Sequence, residues 1–438
     1  MIKDFKNKKV TVMGLGLHGG GVGVAKFFVR QGAKVLVTDP KTKKELKDSI
    51  DKLKGYKINY VLGKHRVGDF KNADLIIKNP AVPKDSKYLK IAKKNKVPIE
   101  TDIGLFFELC PSKKIIGITG TKGKSTTATL IAELLKTKYK VVLAGNIRAS
   151  VLEELPKVTK DTIVVLELSS WQLEDPKPHR KSPHIAIITN IMPDHLNRHK
   201  GMKDYIEAKK LIFKFQKPKN FLILNRDDKI VREFGREAKA KIIYYSKKRA
   251  VKYLKCIKLA GEHNLNNISA AITVAKIFKI LDSTIKKTLR NFKGIEGRLE
   301  FVKEIKGVKY YNDTTATTPE ATIAALRSFD SKVILIAGGT DKNLNFKELA
   351  RVILKKVKVL ILLPGTATEK IEKASLRPAS QRGELVARRT KNMKGAVKIA
   401  RENAEKGDII LLSPGCASFG LFQHEFDRGE QFKKSLTS

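Results

Sequence analysis

The chain has 438 residues, with 89 Lys and Arg against 44 Asp and Glu and a formal net charge of +45. That length exceeds what one core supports and predicts two to four domains, and an apolar share of 42% excludes a disordered or fibrous chain. The basic residues are spread along the whole sequence without an RNA- or DNA-binding signature, so they read as solvated surface, with a positive field that favours small anions over nucleic acid.

Strand-like runs alternate with helix-like segments almost throughout, which predicts α/β architecture with parallel sheets. The first block opens with Val10-Thr-Val-Met13, a glycine-rich turn and a helix over Val24 to Arg30. Strands over Ala33 to Asp39 and Ala73 to Ile77 follow, the latter leading into Asn79-Pro80. A second block begins with Lys114-Ile-Ile-Gly-Ile-Thr119 and continues with strands starting at Lys140, Thr162, Ile185 and Phe221, then a helix from Asn264 to Ile280. The third has strands starting at Val308, Val333, Val359 and Asp408. Three α/β domains are expected over residues 1–95, 96–297 and 298–438: Rossmann-like, P-loop ATPase-type and Rossmann-like in turn. No run reaches the roughly 18 apolar residues of a membrane span, and the N-terminus leads into a strand rather than a signal peptide. Cys110, Cys256 and Cys416 are scattered and odd in number, without disulfide or metal spacing. They point to a reducing, cytoplasmic setting.

Two glycine-rich loops carry the chemistry. Met13-Gly-Leu-Gly-Leu-His-Gly-Gly-Gly-Val-Gly23 lies between a strand and a helix, and Asp39 ends the next strand. Gly14 and Gly16 would let a diphosphate approach the backbone, as in a dinucleotide fingerprint, which also admits a dehydrogenase. Gly120-Thr-Lys-Gly-Lys-Ser-Thr126 follows a buried strand and opens a helix. Its backbone amides can cradle ATP phosphates, Lys124 can reach the terminal ones, and Ser125 can hold Mg²⁺. Glu167, at the carboxyl end of another apolar strand, stands where open α/β sheets place ligands. His195 lies in a polar cluster at the same edge and is a candidate further metal ligand.

Gly120-Thr-Lys-Gly-Lys-Ser-Thr, Leu166-Glu-Leu-Ser-Ser-Trp-Gln-Leu-Glu174, Pro193-Asp-His-Leu and Gly261-Glu-His-Asn-Leu-Asn-Asn267 together resemble the Mur ligase family, in order and through the whole chain. Leu411-Leu-Ser-Pro-Gly-Cys-Ala-Ser418, Glu425-Phe-Asp-Arg-Gly429, Tyr311-Asn-Asp-Thr-Thr-Ala-Thr317 and Ala337-Gly-Gly-Thr-Asp-Lys342 are similar to its D-glutamate-adding branch. The resemblance implies an ATP- and Mg²⁺-dependent ligase, working as a monomer, that joins D-glutamate to UDP-N-acetylmuramoyl-L-alanine. It implies catalytic roles for Lys124, His195 and Lys209, and a nucleotide site of Gly120, Thr121, Gly123, Lys124, Ser125, Thr126, Asn264, Asn267, Arg298 and Asp313. Metal would be held by Ser125, Glu167, His195 and a carbamylated Lys209. Gly14, Gly16, Asp39 and Asn146 would hold the UDP-sugar, and Thr317, Lys342 and Ser418 the carboxylates of D-glutamate. Thr315, Arg148 and Asn197 depart from the family pattern, where lysine, glycine and aspartate are common.

Overall fold

The apolar runs become the inner strands of mostly parallel sheets, and the helices fill the crossovers. The computed structural model describes every residue except 1–3, 18, 84, 147–149, 175–179, 194–198, 258, 260, 342–343, 376–384, 419 and 438. The statements below concern the described residues.

The first sheet comprises β1 (Lys9–Met13), β2 (Lys34–Asp39), β3 (Ile58–Leu62), β4 (Leu75–Lys78) and β5 (Ile99–Glu100), in the order β3-β2-β1-β4-β5. It is parallel throughout and runs on to Glu100, past the expected boundary at 95. The second holds β6 (Ile115–Thr119), β7 (Val141–Gly145), β8 (Ile163–Glu167), β9 (Ile185–Ile188), β10 (Phe221–Asn225) and β11 (Lys241–Tyr245), ordered β11-β10-β9-β6-β8-β7 and again parallel. The third has β12 (Glu300–Ile305), β13 (Val308–Asn312), β14 (Val333–Ala337), β15 (Val357–Leu362), β16 (Val386–Arg389) and β17 (Ile409–Leu412), in the order β12-β13-β17-β14-β15-β16. Only β12 runs antiparallel to its neighbour.

Inner strands β6, β8, β9 and β14 are buried at every position, as continuous apolar runs require when helices cover both faces. Sequence periodicity passed over β3, β5, β11, β12 and β16, all at or next to a sheet edge. β16 (Val-Ala-Arg-Arg) lacks an apolar run, whereas β11 (Lys-Ile-Ile-Tyr-Tyr) has one but leaves most of it exposed.

The chain divides into two compact units, Met1–Val251 with Asn266–Ile285, and Lys252–Leu265 with Lys286–Ser438. The first contains the first two sheets, the second the third. No described helix is long and apolar enough to cross a membrane.

Candidate active site

Phosphate chemistry in the first unit is set by the turn from β6 into the helix Lys124–Lys136. Gly120 has φ +145° and Gly123 +81°, conformations that side chains rarely adopt. Space forbids a side chain as well: a Cβ on Gly120 would sit 1.9 Å from Thr189 Oγ1, and one on Gly123 2.2 Å from Asn267 Oδ1. The loop is pinned to the end of β9. Thr121 N donates to Asn190 O (2.9 Å), Lys122 N to Asn190 Oδ1 (2.8 Å), and Thr189 Oγ1 to Lys122 O (2.7 Å). Lys124 Nζ curls over the loop to Gly120 O (3.0 Å) and Thr121 O (2.9 Å). Ser125 is buried and Thr126 half-buried on the first helical turn, which contains no acidic residue. Oriented N–H groups, a helix N-terminus and an ammonium make this an anion site.

A carboxylate and a second lysine stand beside it. Glu167 ends β8 in register with Ile118 of β6 and is only 1% exposed. Its Oε1 accepts from Asn146 Nδ2 (3.1 Å), whereas the buried Oε2 has no hydrogen-bond partner. A buried carboxylate oxygen without a donor is costly. A cation there would relieve that cost, and Mg²⁺ prefers oxygen ligands such as this one and the Ser125 hydroxyl. The residues present therefore fit a magnesium ion. Lys209, on the helix Met202–Lys210, is equally buried; its Nζ donates to Gly120 O (2.9 Å) and lies 4.7 Å from the Tyr205 ring centroid. Tyr205 OH is 3.1 Å from Thr121 Oγ1. His195 falls outside the described residues.

At the first glycine loop Asp39 is bound to backbone. Its Oδ2 accepts from Leu15 N (2.8 Å) and Gly16 N (3.1 Å), and its Oδ1 from Lys41 N (2.9 Å). Three backbone N–H groups thus tie Asp39 to the loop, and its carboxylate retains acceptor capacity. Gly14 and Gly16 have φ +93° and +66°. A Cβ on Gly14 would come 2.9 Å from Asn79 Cβ. Asn79 and the buried Asp102, whose carboxyl burial pushes up to about 6, line a small cavity with Gly14, Gly20 and Gly21. Asn146 lies at the end of β7 against Glu167, its backbone N–H donating to Glu167 O (2.9 Å).

In the second unit, three turns at the carboxyl ends of β13, β14 and β17 are knitted together. Gly415 N donates to Ala316 O (2.9 Å), Gly338 N to Pro414 O (3.0 Å), and Thr340 and Ala417 exchange backbone bonds of 2.9 and 3.1 Å. The turns bring Asp313, the half-buried Thr317 and the buried Ser418 to one edge; Lys342 falls outside the described residues. Asp313 accepts from Ser413 Oγ (2.8 Å) and Leu299 N (3.1 Å). Burial pushes its carboxyl up to about 7, although those bonds and the nearby Arg298 and Arg428 oppose the shift. Arg298 is exposed. Thr315, at the position where lysine was noted in relatives, donates through Oγ1 to Gly297 O (2.7 Å).

Sequence reasoning placed Arg428 in the Glu425–Gly429 motif but gave it no role. Its guanidinium is fully buried and donates to Thr314 O (2.7 Å), Thr314 Oγ1 (3.1 Å) and Cys416 O (3.3 Å), tying two of the three turns to the helix Glu425–Ser435. The Cys416 thiol, pushed up to about 12 by burial, is no nucleophile. Asn264 and Asn267 lie on the helix His263–Ile277. Asn264 belongs to the second unit and Asn267 to the first. In the first unit Asn267 Oδ1 accepts from Thr127 Oγ1 (3.4 Å) beside the phosphate loop.

Comparison with known proteins bears on these features together. Residues 8–101 match the model of the Mur ligase MurD-like N-terminal domain, 118–256 the Mur ligase middle domain, and 297–416 the Mur ligase glutamate ligase domain. The chain is 44% identical over 462 residues to a UDP-N-acetylmuramoylalanine–D-glutamate ligase of Roseiflexus sp., covering 98% of both. It is 40% identical to a ligase of the same name from Borreliella afzelii, over 99% of this chain and 98% of that protein. Among solved structures, UDP-N-acetylmuramate–alanine ligase MurC from Thermotoga maritima covers 98% of this chain at a TM-score of 0.63 and 18% identity, a likeness of fold.

Proposed function

Because the chain belongs to the Mur ligase family, we propose that it joins D-glutamate to UDP-N-acetylmuramoyl-L-alanine in peptidoglycan precursor synthesis, converting ATP to ADP and phosphate. The observation that carries the choice of substrate is the 44% identity to a ligase of that name over 98% of both chains.

A carboxylate is a poor acyl donor because attack by an amine would have to expel oxide. Transfer of the γ-phosphoryl group to the substrate carboxylate gives an acyl phosphate, from which phosphate can leave. Such transfer depends on positioning and charge neutralisation. The N–H groups of Gly123 to Ser125 at the helix start cradle the phosphates, while those of Thr121 and Lys122 hold the loop to Asn190, and Lys124 exchanges its bonds to Gly120 O and Thr121 O for phosphate oxygens. Ser125, Glu167 and His195 would hold Mg²⁺, which would supply charge neutralisation for phosphoryl transfer. Asn146, already hydrogen-bonded to Glu167, presents the UDP-sugar next to that carboxylate. Asn264, Asn267, Arg298 and Asp313 receive the rest of the nucleotide, and Gly14 and Gly16 the UDP diphosphate. Thr317, Lys342 and Ser418 hold the two carboxylates of D-glutamate, leaving its amine to attack.

Lys209 is assigned a carbamate: its neutral amine adds to CO₂ and releases one proton, converting a cation against Gly120 O into an oxygen ligand. Its place beside the phosphate loop, with Nζ 2.9 Å from Gly120 O, supports this assignment. Three domains, the first extended to about residue 100 to keep β5 and the third starting at 298, a monomer, a cytoplasmic location and no nucleic-acid partner complete the reading.

The test is phosphate release from ATP with Mg²⁺ and UDP-N-acetylmuramoyl-L-alanine, comparing D-glutamate, L-glutamate, L-alanine and no amino acid. Release that requires D-glutamate, with product of the expected mass, is the predicted result. Release with a different amino acid would overturn the specificity, and none at all would overturn the reaction.

A further inference from the structure

His199 stands at the entrance to the helix Met202–Lys210 and is 6% exposed. Its Nε2 is 3.0 Å from Ser170 Oγ and its Nδ1 3.3 Å from Asp204 Oδ2. Serine, histidine and aspartate in this order have the form of a hydrolytic triad. Ser170, however, is only 2% exposed, closed to any acyl substrate, so the arrangement is not a second active site.

What it joins is more informative. Ser170 opens the short helix Ser170–Glu174, three residues after Glu167. Asp204 lies on the helix that carries Tyr205 and Lys209, and both of those reach the phosphate loop, at Thr121 and Gly120. The ring also packs against Tyr205, at 5.2 Å between centroids. With a proton on Nδ1, the ring donates to Asp204 and accepts from the Ser170 hydroxyl, so one side chain ties two elements that share no ladder.

We infer that His199 is a positioning residue for the metal site, holding the Lys209 helix at a fixed distance from the Glu167 end of β8 through Ser170 and Asp204. This rests on Glu167 and Lys209 serving a divalent cation. Geometry set within about 0.5 Å is what metal and phosphoryl chemistry demand, and a polar link between the two carriers provides it.

Three variants of the full chain test the idea. His199→Phe keeps the ring against Tyr205 but removes both hydrogen bonds, His199→Gln keeps an acceptor for Ser170, and Ser170→Ala removes one hydroxyl. The readouts are Mn²⁺ affinity by electron paramagnetic resonance with a non-hydrolysable ATP analogue, the Mg²⁺ concentration for half-maximal turnover, and KM for D-glutamate. A polar link predicts at least fivefold weaker Mn²⁺ binding and a matching rise in Mg²⁺ requirement in His199→Phe. Smaller effects are expected in His199→Gln and Ser170→Ala, with KM for D-glutamate within twofold of wild type. Wild-type Mn²⁺ binding in His199→Phe, or parallel loss of every parameter in all three, would overturn it. Should His199→Phe fail to fold, Ser170→Ala decides: Mn²⁺ affinity equal to wild type refutes the link. Wild-type protein lacking nucleotide-dependent Mn²⁺ binding and D-glutamate-dependent phosphate release would sink the functional reading and this inference with it. Both present with insensitive variants sinks the inference alone.

Discussion

Asp313→Asn should make the second unit more stable while impairing the enzyme. Asp313 ordinarily would ionise near 3.8, and burial pushes it up to about 7. Holding it ionised above pH 7 therefore costs about 4 kcal/mol, and relaxation around the charge leaves an expectation of about 2 kcal/mol. An asparagine can keep the geometry. Its oxygen accepts from Leu299 N, and its amide donates to Ser413 Oγ, whose hydroxyl can turn to Thr322 Oγ1, 3.0 Å away. The direction in pH follows from the raised value. Between about pH 4 and 7 the folded carboxyl holds a proton that the unfolded one has lost, so the wild type loses stability as pH rises through that window. The amide does not titrate. Thermal unfolding at pH 8 should show the transition of the second unit raised by roughly 4–8 °C in Asp313→Asn, and at pH 4.5 most of that gap should close. Turnover should fall, because Asp313 is assigned to the nucleotide site and stability there trades against function. A variant less stable than wild type at pH 8, or a gap equal at both pH values, would falsify the burial argument.

Lys124→Ala should lower kcat roughly 100- to 1,000-fold in the phosphate-release assay by removing the cation over the loop, with Tm nearly unchanged. Lys209→Arg keeps a cation but cannot form a carbamate; kcat should fall at least about tenfold, and the wild type alone should lose activity when CO₂ and bicarbonate are removed. Gly123→Ala combines a φ of +81° with a Cβ 2.2 Å from Asn267 Oδ1. It should raise KM for ATP about tenfold and cost about 1–3 kcal/mol in denaturant unfolding. Arg428→Met leaves Thr314 O and Cys416 O without their donor. It should destabilise the second unit by about 3 kcal/mol and raise KM for D-glutamate before that for ATP.

How much of this was legible depends on the range of the interaction concerned. Groups expected to touch ligand sit in short runs, and local chemistry betrays them: glycines that must take positive φ, a lysine and serine opening a helix, an acid at the end of an apolar strand. Groups that hold those runs in place reach them from far along the chain. Lys122 is clamped by Asn190 across 68 positions, Thr121 meets Tyr205 across 84, and Arg428 meets Thr314 across 114. No window of sequence contains both partners, and each holder taken alone has an ordinary alternative as a surface arginine, a core tyrosine or a loop asparagine. Asp39 shows the same limit from the other side. Its position matched a ligand-binding fingerprint, and the bonds it accepts from the backbone N–H groups of Leu15, Gly16 and Lys41 exist only once the loop has folded. His199 belongs to this second class: Ser170 stands in the Leu166–Glu174 motif, but its partner lies 29 positions away, so their joint contribution should appear in metal affinity.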